Sequence, residues 1–293
     1  MADALSGHTQ GADTGDLRKQ SVDKLIDEVQ ARLGTGFDES TIVRKRRSVG
    51  VRTDRGTWVR IEARPLDKAA SQEQVNNGIE ASALLEGIAK PQWYRAVSWL
   101  DESLGVLWRA DECALVTGPA AKPIGYPLTE PELSPQWWRT LNSSLDSLAR
   151  QRTTRVATPD TKLIIQALVT ETIEQAFPDQ VDTMINNQPW VPAHADLNWS
   201  NLTAPDCWIL DWEDFGLAPR GLDAATLWTN SLMVPTLADK VFRERRADLA
   251  TRSGKLMALF CCSKDLNDPD FASAPAFKPT AQHAAELVED LRH

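Results

Sequence analysis

The first apolar pattern along the chain has the spacing of a helix. In residues 16–33 apolar side chains recur mostly at intervals of three and four, and the segment ends at Gly34 and Gly36. This spacing predicts an amphipathic helix. The preceding residues 1–15 are rich in Gly, Ala, Asp and Thr and have neither the basic nor the apolar stretch of a signal peptide. We expect them to form a disordered tail.

The next part of the chain has the pattern of strands. In residues 41–65 apolar residues flank Asp54-Arg55-Gly56, a turn typical of hairpins, which predicts two or three strands. Residues 79–89 return to helical composition. Residues 99–116 predict another strand pair around a polar turn at 101–103.

From about Pro131 onward the pattern becomes helical. The apolar residues have helical spacing in four segments, which are residues 137–150, 161–176, 223–233 and 281–291. A stretch with four prolines, 118–131, joins the two parts, and residues 265–279 predict a surface loop. We therefore predict an α+β protein with a β-rich N-terminal lobe at 16–120 and a helical C-terminal lobe at 121–293.

Composition narrows the class of protein. The chain has 293 residues, a net charge of −9 and a pI of about 5.1, which argues against general binding to nucleic acid. No apolar stretch is long enough to cross a bilayer, so we expect no membrane partner and a cytoplasmic location. The four cysteines have neither disulfide nor zinc spacing.

One segment is basic within this acidic chain. Residues 44–64 contain eight Arg or Lys residues against Asp54 and Glu62, so the segment carries +6 and the remainder −15. A bound nucleotide triphosphate would explain such a local positive field. A solvated strand edge kept soluble by arginines explains it equally well.

Residues 190–215 interrupt the helical pattern and concentrate polar side chains. Short apolar runs here alternate with polar residues, which are His194, Asp196, Asn198, Asn201, Asp211, Glu213 and Asp214. Polar groups on loops beside short strands are typical of binding and catalytic sites. Phosphoryl transfer needs such a set, namely a carboxylate near the acceptor hydroxyl and oxygen ligands for Mg²⁺.

The spacing of these residues resembles that of a known family. His194-Ala195-Asp196 followed by Asn201 matches H-x-D-x-x-x-x-N, and Asp211-Trp212-Glu213 follows a short apolar run. The pair of motifs resembles the aminoglycoside phosphotransferase and choline kinase family, relatives of protein kinases, and continues into a D-L-A-like helix start at Asp223. The resemblance implies a two-lobed protein-kinase-like fold and an ATP- or GTP-dependent phosphotransferase.

The resemblance also implies roles for individual residues. Asp196 would orient or deprotonate the acceptor hydroxyl, and His194 would brace its loop. Asn201 and Asp211 would bind Mg²⁺. Glu213 would either assist the metal or pair with a neighbouring arginine.

Two further positions are interpreted through the same resemblance. Asp223 stands where the family has a structural aspartate, so we assign it no chemistry. Ala195 replaces the usual glycine, and we expect a backbone conformation there that is open to residues with a Cβ atom.

The N-terminal part matches the family less closely. Arg60 stands where a strand normally supplies a lysine that contacts phosphates, and Glu80 resembles its helix partner, so we expect these two to pair. Ser48 and Gly50 stand in a segment that would cover the phosphates but offers a single glycine. The four residues are predicted to bind nucleotide.

Three functions fit the sequence. The first is transfer of a γ-phosphoryl group to a hydroxyl of an amino-containing small molecule such as an antibiotic. The second has a peptide Ser or Thr as acceptor, as in the phosphotransferase-like kinases of modified-peptide natural-product pathways, which the sequence also resembles. The third is a pseudokinase scaffold that binds a partner protein, suggested by Arg60 and the missing glycines.

Trp199 is either a core residue or part of an acceptor pocket.

Overall fold

The computed structural model describes residues 16–66, 77–123, 125–159, 162–185 and 190–292. The predicted disordered tail, residues 1–15, lies outside them. The chain divides into two compact units, the first comprising Met1–Glu80 and Pro91–Val116 and the second Ala81–Lys90 and Thr117–His293. The change of unit after Val116 lies a few residues before the boundary drawn from the sequence, and a short segment at 81–90 joins the second unit.

In the described residues of the first unit, helix α1 (Asp23–Leu33) packs on a five-stranded antiparallel sheet. The strands have the order β1-β2-β3-β5-β4. The elements are α1 (Asp23–Leu33), β1 (Phe37–Arg44), β2 (Ser48–Thr53), β3 (Thr57–Pro65), β4 (Trp93–Asp101) and β5 (Val106–Ala114). Side chains of α1 at helical spacing meet alternate residues of β2, β3 and β5 in one core. The apolar face that the sequence predicts for α1 is therefore buried in the structure.

The turns of this unit follow the predicted chemistry. Gly34 ends α1 in a left-handed conformation (φ 59°), and its N–H donates to the carbonyl of Gln30. Gly56, with φ 75°, completes the predicted hairpin turn between β2 and β3. The helix predicted for residues 79–89 is shorter in the structure, where α2 spans Gly78–Ser82 and begins in the first unit and ends in the second.

The second unit is mainly helical. Its helices are α3 (Pro135–Leu148), α4 (Gln166–Ala176), α5 (Leu222–Thr229), α6 (Pro235–Glu244), α7 (Arg246–Leu249), α8 (Arg252–Leu266) and α9 (Phe277–Arg292). Two short strands, β6 (Trp190–Ala193) and β7 (Gly216–Pro219), pair antiparallel. Among the described residues of this unit, 3-10 turns span Trp212–Asp214 and Pro269–Ser273. The predicted surface loop at 265–279 is thus largely helical, which corrects the prediction.

The core of the second unit surrounds β6, β7 and the segment between them. Trp199 is 1% exposed and stacks on Trp137, with ring centroids 6.1 Å apart. The indole of Trp199 donates to Ser231 Oγ at 3.0 Å. This residue is therefore a core residue, as the first of its two interpretations held. An antiparallel β-rich unit followed by a helical one confirms the predicted α+β class.

Candidate active site

Strand β6 ends where the polar segment begins. Residues 194–201, hereafter the catalytic loop, follow β6 directly. The Asp223 carboxylate, on the first turn of α5, accepts hydrogen bonds from the backbone N–H groups of His194 at 2.8 Å and Ala195 at 2.9 Å. Both amides are buried, so each needs a protein acceptor. Asp223 thus holds the start of the catalytic loop against α5, which agrees with the structural role predicted for it.

The backbone of Ala195 is in a left-handed conformation. Its φ is 72°, and the residue is 4% exposed. We expected a conformation open to residues with a Cβ atom, and that prediction is wrong. Glycine adopts this region without steric cost, whereas alanine pays on the order of 1 kcal/mol. The bonds from Asp223 to the N–H groups of His194 and Ala195 hold the strained turn in place.

The His194 ring braces the catalytic loop from inside. The side chain is fully buried, and its Nε2 lies 2.8 Å from the carbonyl oxygen of Leu210. The Asp196 N–H points to Nδ1 at 3.3 Å. A ring that donates at Nε2 and accepts at Nδ1 is the neutral tautomer. His194 therefore acts as a spacer between the catalytic loop and the segment before Asp211.

Two amides hold the Asp196 carboxylate. Asn198 Nδ2 donates to Oδ1 at 2.8 Å, and Asn201 Nδ2 donates to Oδ2 at 2.8 Å. Burial raises the pKa of Asp196 above its usual value, and the charge on nearby Asp211 acts in the same direction. A fixed carboxylate with a raised pKa is a better proton acceptor than a solvated one.

The segment before Asp211 is joined to the end of the catalytic loop. The N–H of Leu210 donates to the carbonyl of Asn201 at 2.8 Å, which joins the end of the catalytic loop to the residue before Asp211. Asp211 itself has φ 65° and precedes the 3-10 turn Trp212–Asp214. The short apolar run before Asp211 forms an isolated antiparallel bridge between Leu202 and Ile209.

A second segment, residues 155–158, straps the turn that follows Asp211. Arg155 donates from Nη2 to the carbonyl of Glu213 at 3.1 Å and from Nε to the carbonyl of Phe215 at 3.0 Å. Thr158 Oγ1 donates to the Asp214 carboxylate at 2.7 Å. An arginine thus lies beside Glu213 and donates to its backbone carbonyl.

The donor set suits a magnesium ion. Asn201 uses its amide nitrogen on Asp196, which leaves its Oδ1 without a hydrogen-bond donor among the described residues. An amide oxygen and the carboxylate of Asp211 are hard oxygen ligands of the kind Mg²⁺ takes together with substrate phosphates. No cluster of three His, Cys, Asp or Glu side chains in the described part of the chain is arranged to hold a metal ion by itself. A site completed by phosphates does not need one.

The structure changes one predicted pair in the first unit. Glu80 is paired with Arg109 on β5, with Nη2 and Oε2 3.0 Å apart, rather than with Arg60. Arg109 also contacts Asp111 at 2.7 Å. Arg60 lies on β3 opposite Asp111 and 3.8 Å from the Glu62 carboxylate. The expected partnership of Arg60 and Glu80 is wrong because the arginine on the neighbouring strand takes the carboxylate.

Ser48 and Gly50 both lie on β2. Ser48 begins the strand and is 7% exposed. A Cβ atom on Gly50 would lie 2.2 Å from Cζ2 of Trp58, so the glycine leaves room for that indole. Gly50 thus has a packing reason to be glycine, and binding of nucleotide by either residue stays a prediction.

Three residues of the site were given no role from the sequence. They are Asn198, which holds Asp196, and Arg155 and Thr158, which hold the turn after Asp211. Asn198 lies inside the recognised motif at a position the motif leaves open. Arg155 and Thr158 lie some forty residues upstream of the motif, where no local pattern marks them.

Comparisons with known proteins match part of the chain to a family. Residues 125–254 match the model of the phosphotransferase enzyme family, APH. No curated protein matches the chain by sequence. Within the described residues, no helix is long and apolar enough to cross a membrane.

Solved structures share the fold over nearly the whole chain. The amicoumacin kinase hAmiN, in complex with AMP-PNP, Ca²⁺ and Ami, matches with a TM-score of 0.54 and 12% identity, covering 92% of this chain and 94% of that one. ADP-bound aminoglycoside phosphotransferase APH(2'')-Ib matches with a TM-score of 0.53 and 11% identity, covering 91% of this chain and 97% of that one. Macrolide 2'-phosphotransferase MphH from Brachybacterium faecium matches with a TM-score of 0.51 and 15% identity, covering 92% of this chain and 97% of that one.

At these identities the likeness establishes the fold. The family match concerns residues 125–254, which lie in the second unit. The resemblance seen in the sequence is therefore confirmed: residues 125–254 match the phosphotransferase enzyme family, in a chain with a protein-kinase-like fold.

Proposed function

We propose that this protein transfers the γ-phosphoryl group of ATP or GTP to a hydroxyl group of a small amino-containing molecule. The observation that carries the proposal is the Asp196 carboxylate, which is partly buried and is held by amides of Asn198 and Asn201 at 2.8 Å each. Each carboxylate oxygen has a second lone pair. One of these lone pairs would accept the hydrogen bond of the acceptor hydroxyl and take its proton as the hydroxyl oxygen bonds to the γ-phosphorus. The bond from the γ-phosphorus to the bridging oxygen of the β-phosphate breaks in the same step, and the nucleoside diphosphate leaves.

Asn201 and Asp211 are the proposed ligands of Mg²⁺, and Glu213 is a further candidate. When bound, Mg²⁺ neutralises charge on the nucleotide phosphates as the phosphoryl group leaves. The chain's own contribution is to hold these oxygens in place. The bond from Leu210 N–H to the Asn201 carbonyl and the strap from Arg155 serve that purpose.

In the first unit we propose Arg60 as the cation that contacts the nucleotide phosphates, with Ser48 and Gly50 as neighbouring contacts. Arg60 remains partly exposed on β3, at 25% of its side chain. Glu80 forms an ion pair with Arg109 and has no part in the proposed phosphate contact of Arg60. A planar guanidinium can contact two phosphate oxygens at once.

The acceptor is proposed to carry an amine because the protein is acidic, with net charge −9. An acidic protein attracts cationic molecules. Similar folds are known with antibiotics bound, as in the streptomycin-ATP-APH(2'')-IIa complex, which gives a TM-score of 0.52 at 11% identity.

The test is a transfer assay with γ-labelled ATP and GTP. Acceptors are a panel of hydroxylated amines, the same molecules with the amine acetylated, and peptides that contain Ser or Thr. We expect label on a hydroxylated amine, less on its acetylated form, and none after chelation of Mg²⁺. Label on peptides alone would replace this acceptor class with the peptide one. A wild-type protein that labels nothing and binds no nucleotide would overturn the proposal in favour of a scaffold.

A further inference from the structure

Polar and apolar side chains alternate along the catalytic loop from residue 196 to residue 200. Leu197 and Trp199 are buried in the core of the second unit, with 0% and 1% of their surface exposed. Asp196, Asn198 and Ser200 remain partly exposed. The two buried side chains therefore anchor the backbone that carries the three polar ones.

The side chain of Asn198 is hydrogen-bonded at both ends of its amide group. Its oxygen accepts the backbone N–H of Ser200 at 2.9 Å and also the Ser200 hydroxyl. Its nitrogen donates to Asp196 Oδ1 at 2.8 Å. With the amide turned over, its N–H groups would face the donors of Ser200 and its oxygen would face a carboxylate. Ser200 therefore fixes which end of the amide is directed at Asp196.

Asn201 holds the other carboxylate oxygen and has a second proposed task. Its nitrogen donates to Asp196 Oδ2 at 2.8 Å and to the Asp196 carbonyl at 2.9 Å, and its oxygen is proposed to bind Mg²⁺. The bonds of Asn198, by contrast, go to Ser200 and Asp196. A change at Asn198 should therefore affect the carboxylate and leave the proposed metal ligands in place.

We propose that Asn198 and Ser200 are positioning residues for the phosphoryl transfer: Ser200 orients the Asn198 amide, and that amide holds the Asp196 carboxylate toward the acceptor hydroxyl. This inference rests on the proposed function. Without the donor on Oδ1, the carboxylate is free to rotate about its Cβ–Cγ bond. A hydroxyl bonded to a rotated carboxylate is out of line with the γ-phosphorus, so a smaller fraction of bound acceptor reacts.

The first test compares turnover with nucleotide binding in Asn198→Ala. Turnover should fall about tenfold to a hundredfold, the value of a hydrogen bond to a charged group. Nucleotide affinity and its dependence on Mg²⁺ should stay as in the wild type, which general damage to the loop would not allow. The control is Ser143→Ala, which removes an exposed serine hydroxyl of α3 and should change none of these quantities.

Variants of Ser200 test the orientation of the amide. Ser200→Ala removes the hydroxyl but keeps the backbone N–H, so turnover should fall by about threefold to tenfold. Ser200→Thr keeps a hydroxyl and should recover most of this loss. Equal turnover of Ser200→Ala and the wild type would show that Ser200 has no part in positioning.

A double variant shows whether Asn198 acts through Asp196. Adding Asn198→Ala to Asp196→Ala should lower turnover by less than about twofold, because no carboxylate remains to be held. An equal loss with and without Asp196 would mean that Asn198 acts on another group. Urea unfolding of each variant checks that the molecules measured are folded.

Nuclear magnetic resonance tests the contacts without any turnover. In isotope-labelled protein the side-chain amide signals of Asn198, identified by their absence in Asn198→Ala, should shift in Ser200→Ala and in Asp196→Ala but not in Ser143→Ala. Signals that stay in place in Ser200→Ala, or wild-type turnover in Asn198→Ala, would refute the inference while the proposed function stands. A wild type that phosphorylates no acceptor would overturn the proposed function and, with it, the catalytic role of these contacts, even where the amide signals respond.

Discussion

Asn201 Nδ2 lies 2.8 Å from Asp196 Oδ2, so the proposed metal ligand also holds the proposed catalytic carboxylate. One amide group thereby links two functions: its nitrogen orients Asp196, and its oxygen is left for a cation. A change at either residue should disturb the other. The two residues nevertheless control different quantities. Asp196 should control turnover, and Asn201 should control the dependence of nucleotide binding on Mg²⁺.

Asp196→Asn should lower turnover by a factor on the order of 10² to 10⁴ while nucleotide affinity and the fold are retained. The asparagine has nearly the same shape but cannot accept the proton. Steady-state kinetics with an identified acceptor give turnover, and calorimetry gives affinity. The matched control is Asp206→Asn, an exposed aspartate in the following loop. Wild-type turnover in Asp196→Asn would show that another group accepts the proton.

Asp211→Asn and Asn201→Ala should remove the dependence of nucleotide binding on Mg²⁺. In the wild type we expect ATP to bind more tightly with Mg²⁺ than without it, because the ion joins protein oxygens to phosphates. Calorimetric titrations with and without the ion make the comparison. Equal affinity under both conditions in the wild type would contradict the assignment of both ligands.

The sequence was most informative where residues near each other in the chain also form the site. Asp196, Asn201 and Asp211 lie within sixteen residues, and local hydrogen bonds bring the catalytic loop and the Asp211 turn together. The strap from Arg155 depends on tertiary contacts between distant segments. No periodicity or spacing encodes such contacts.

The same contrast holds for the fold. Helix α1 was predicted because one face is buried and the other is exposed. Helix α8 (Arg252–Leu266) was missed because ten of its fifteen residues are buried, around much of its circumference. A helix enclosed by others has no amphipathic pattern to detect. The pairing of Glu80 with Arg109 was missed for a related reason, since strand order cannot be deduced from the local sequence.

Arg60→Ala should weaken nucleotide binding by about tenfold, because a charge-assisted contact with phosphate is lost. The control is Arg52→Ala, an exposed arginine on the neighbouring strand β2. Calorimetry with the Mg²⁺-bound nucleotide measures both variants. If Arg60→Ala binds nucleotide as the wild type does, the phosphate contact belongs to another cation and the resemblance of β3 fails at this position.

Asp223→Ala should destabilise the protein by about 2 to 5 kcal/mol, because the amides of His194 and Ala195 would be buried without acceptors. Asp223→Asn keeps one acceptor oxygen, so its loss of stability should be smaller. Urea unfolding followed by tryptophan fluorescence gives both values. A loss below about 0.5 kcal/mol in Asp223→Ala would show that water or another group takes over the two amides.

Ala195 provides the sharpest test of the backbone geometry. Its φ of 72° is accessible to glycine without steric cost, is mildly unfavourable for alanine and is most unfavourable for β-branched residues. In Ala195→Gly the relief of strain is offset by the loss of a buried methyl group and by the greater freedom of glycine in the unfolded chain. We therefore expect the free energy of unfolding of Ala195→Gly to lie within about 1 kcal/mol of the wild-type value.

Ala195→Val should instead lose about 2 kcal/mol or more, because valine must adopt the same left-handed turn with a branched side chain in a buried position. Urea unfolding of the three proteins should give a lower free energy of unfolding for Ala195→Val than for the wild type. The value for Ala195→Gly should be close to that of the wild type. Because Ala195 directly precedes Asp196, Ala195→Val should also reduce turnover in the molecules that remain folded. Equal stability of Ala195→Val and the wild type would mean that residue 195 does not adopt a left-handed conformation in solution, and the bonds from Asp223 would then need another geometry.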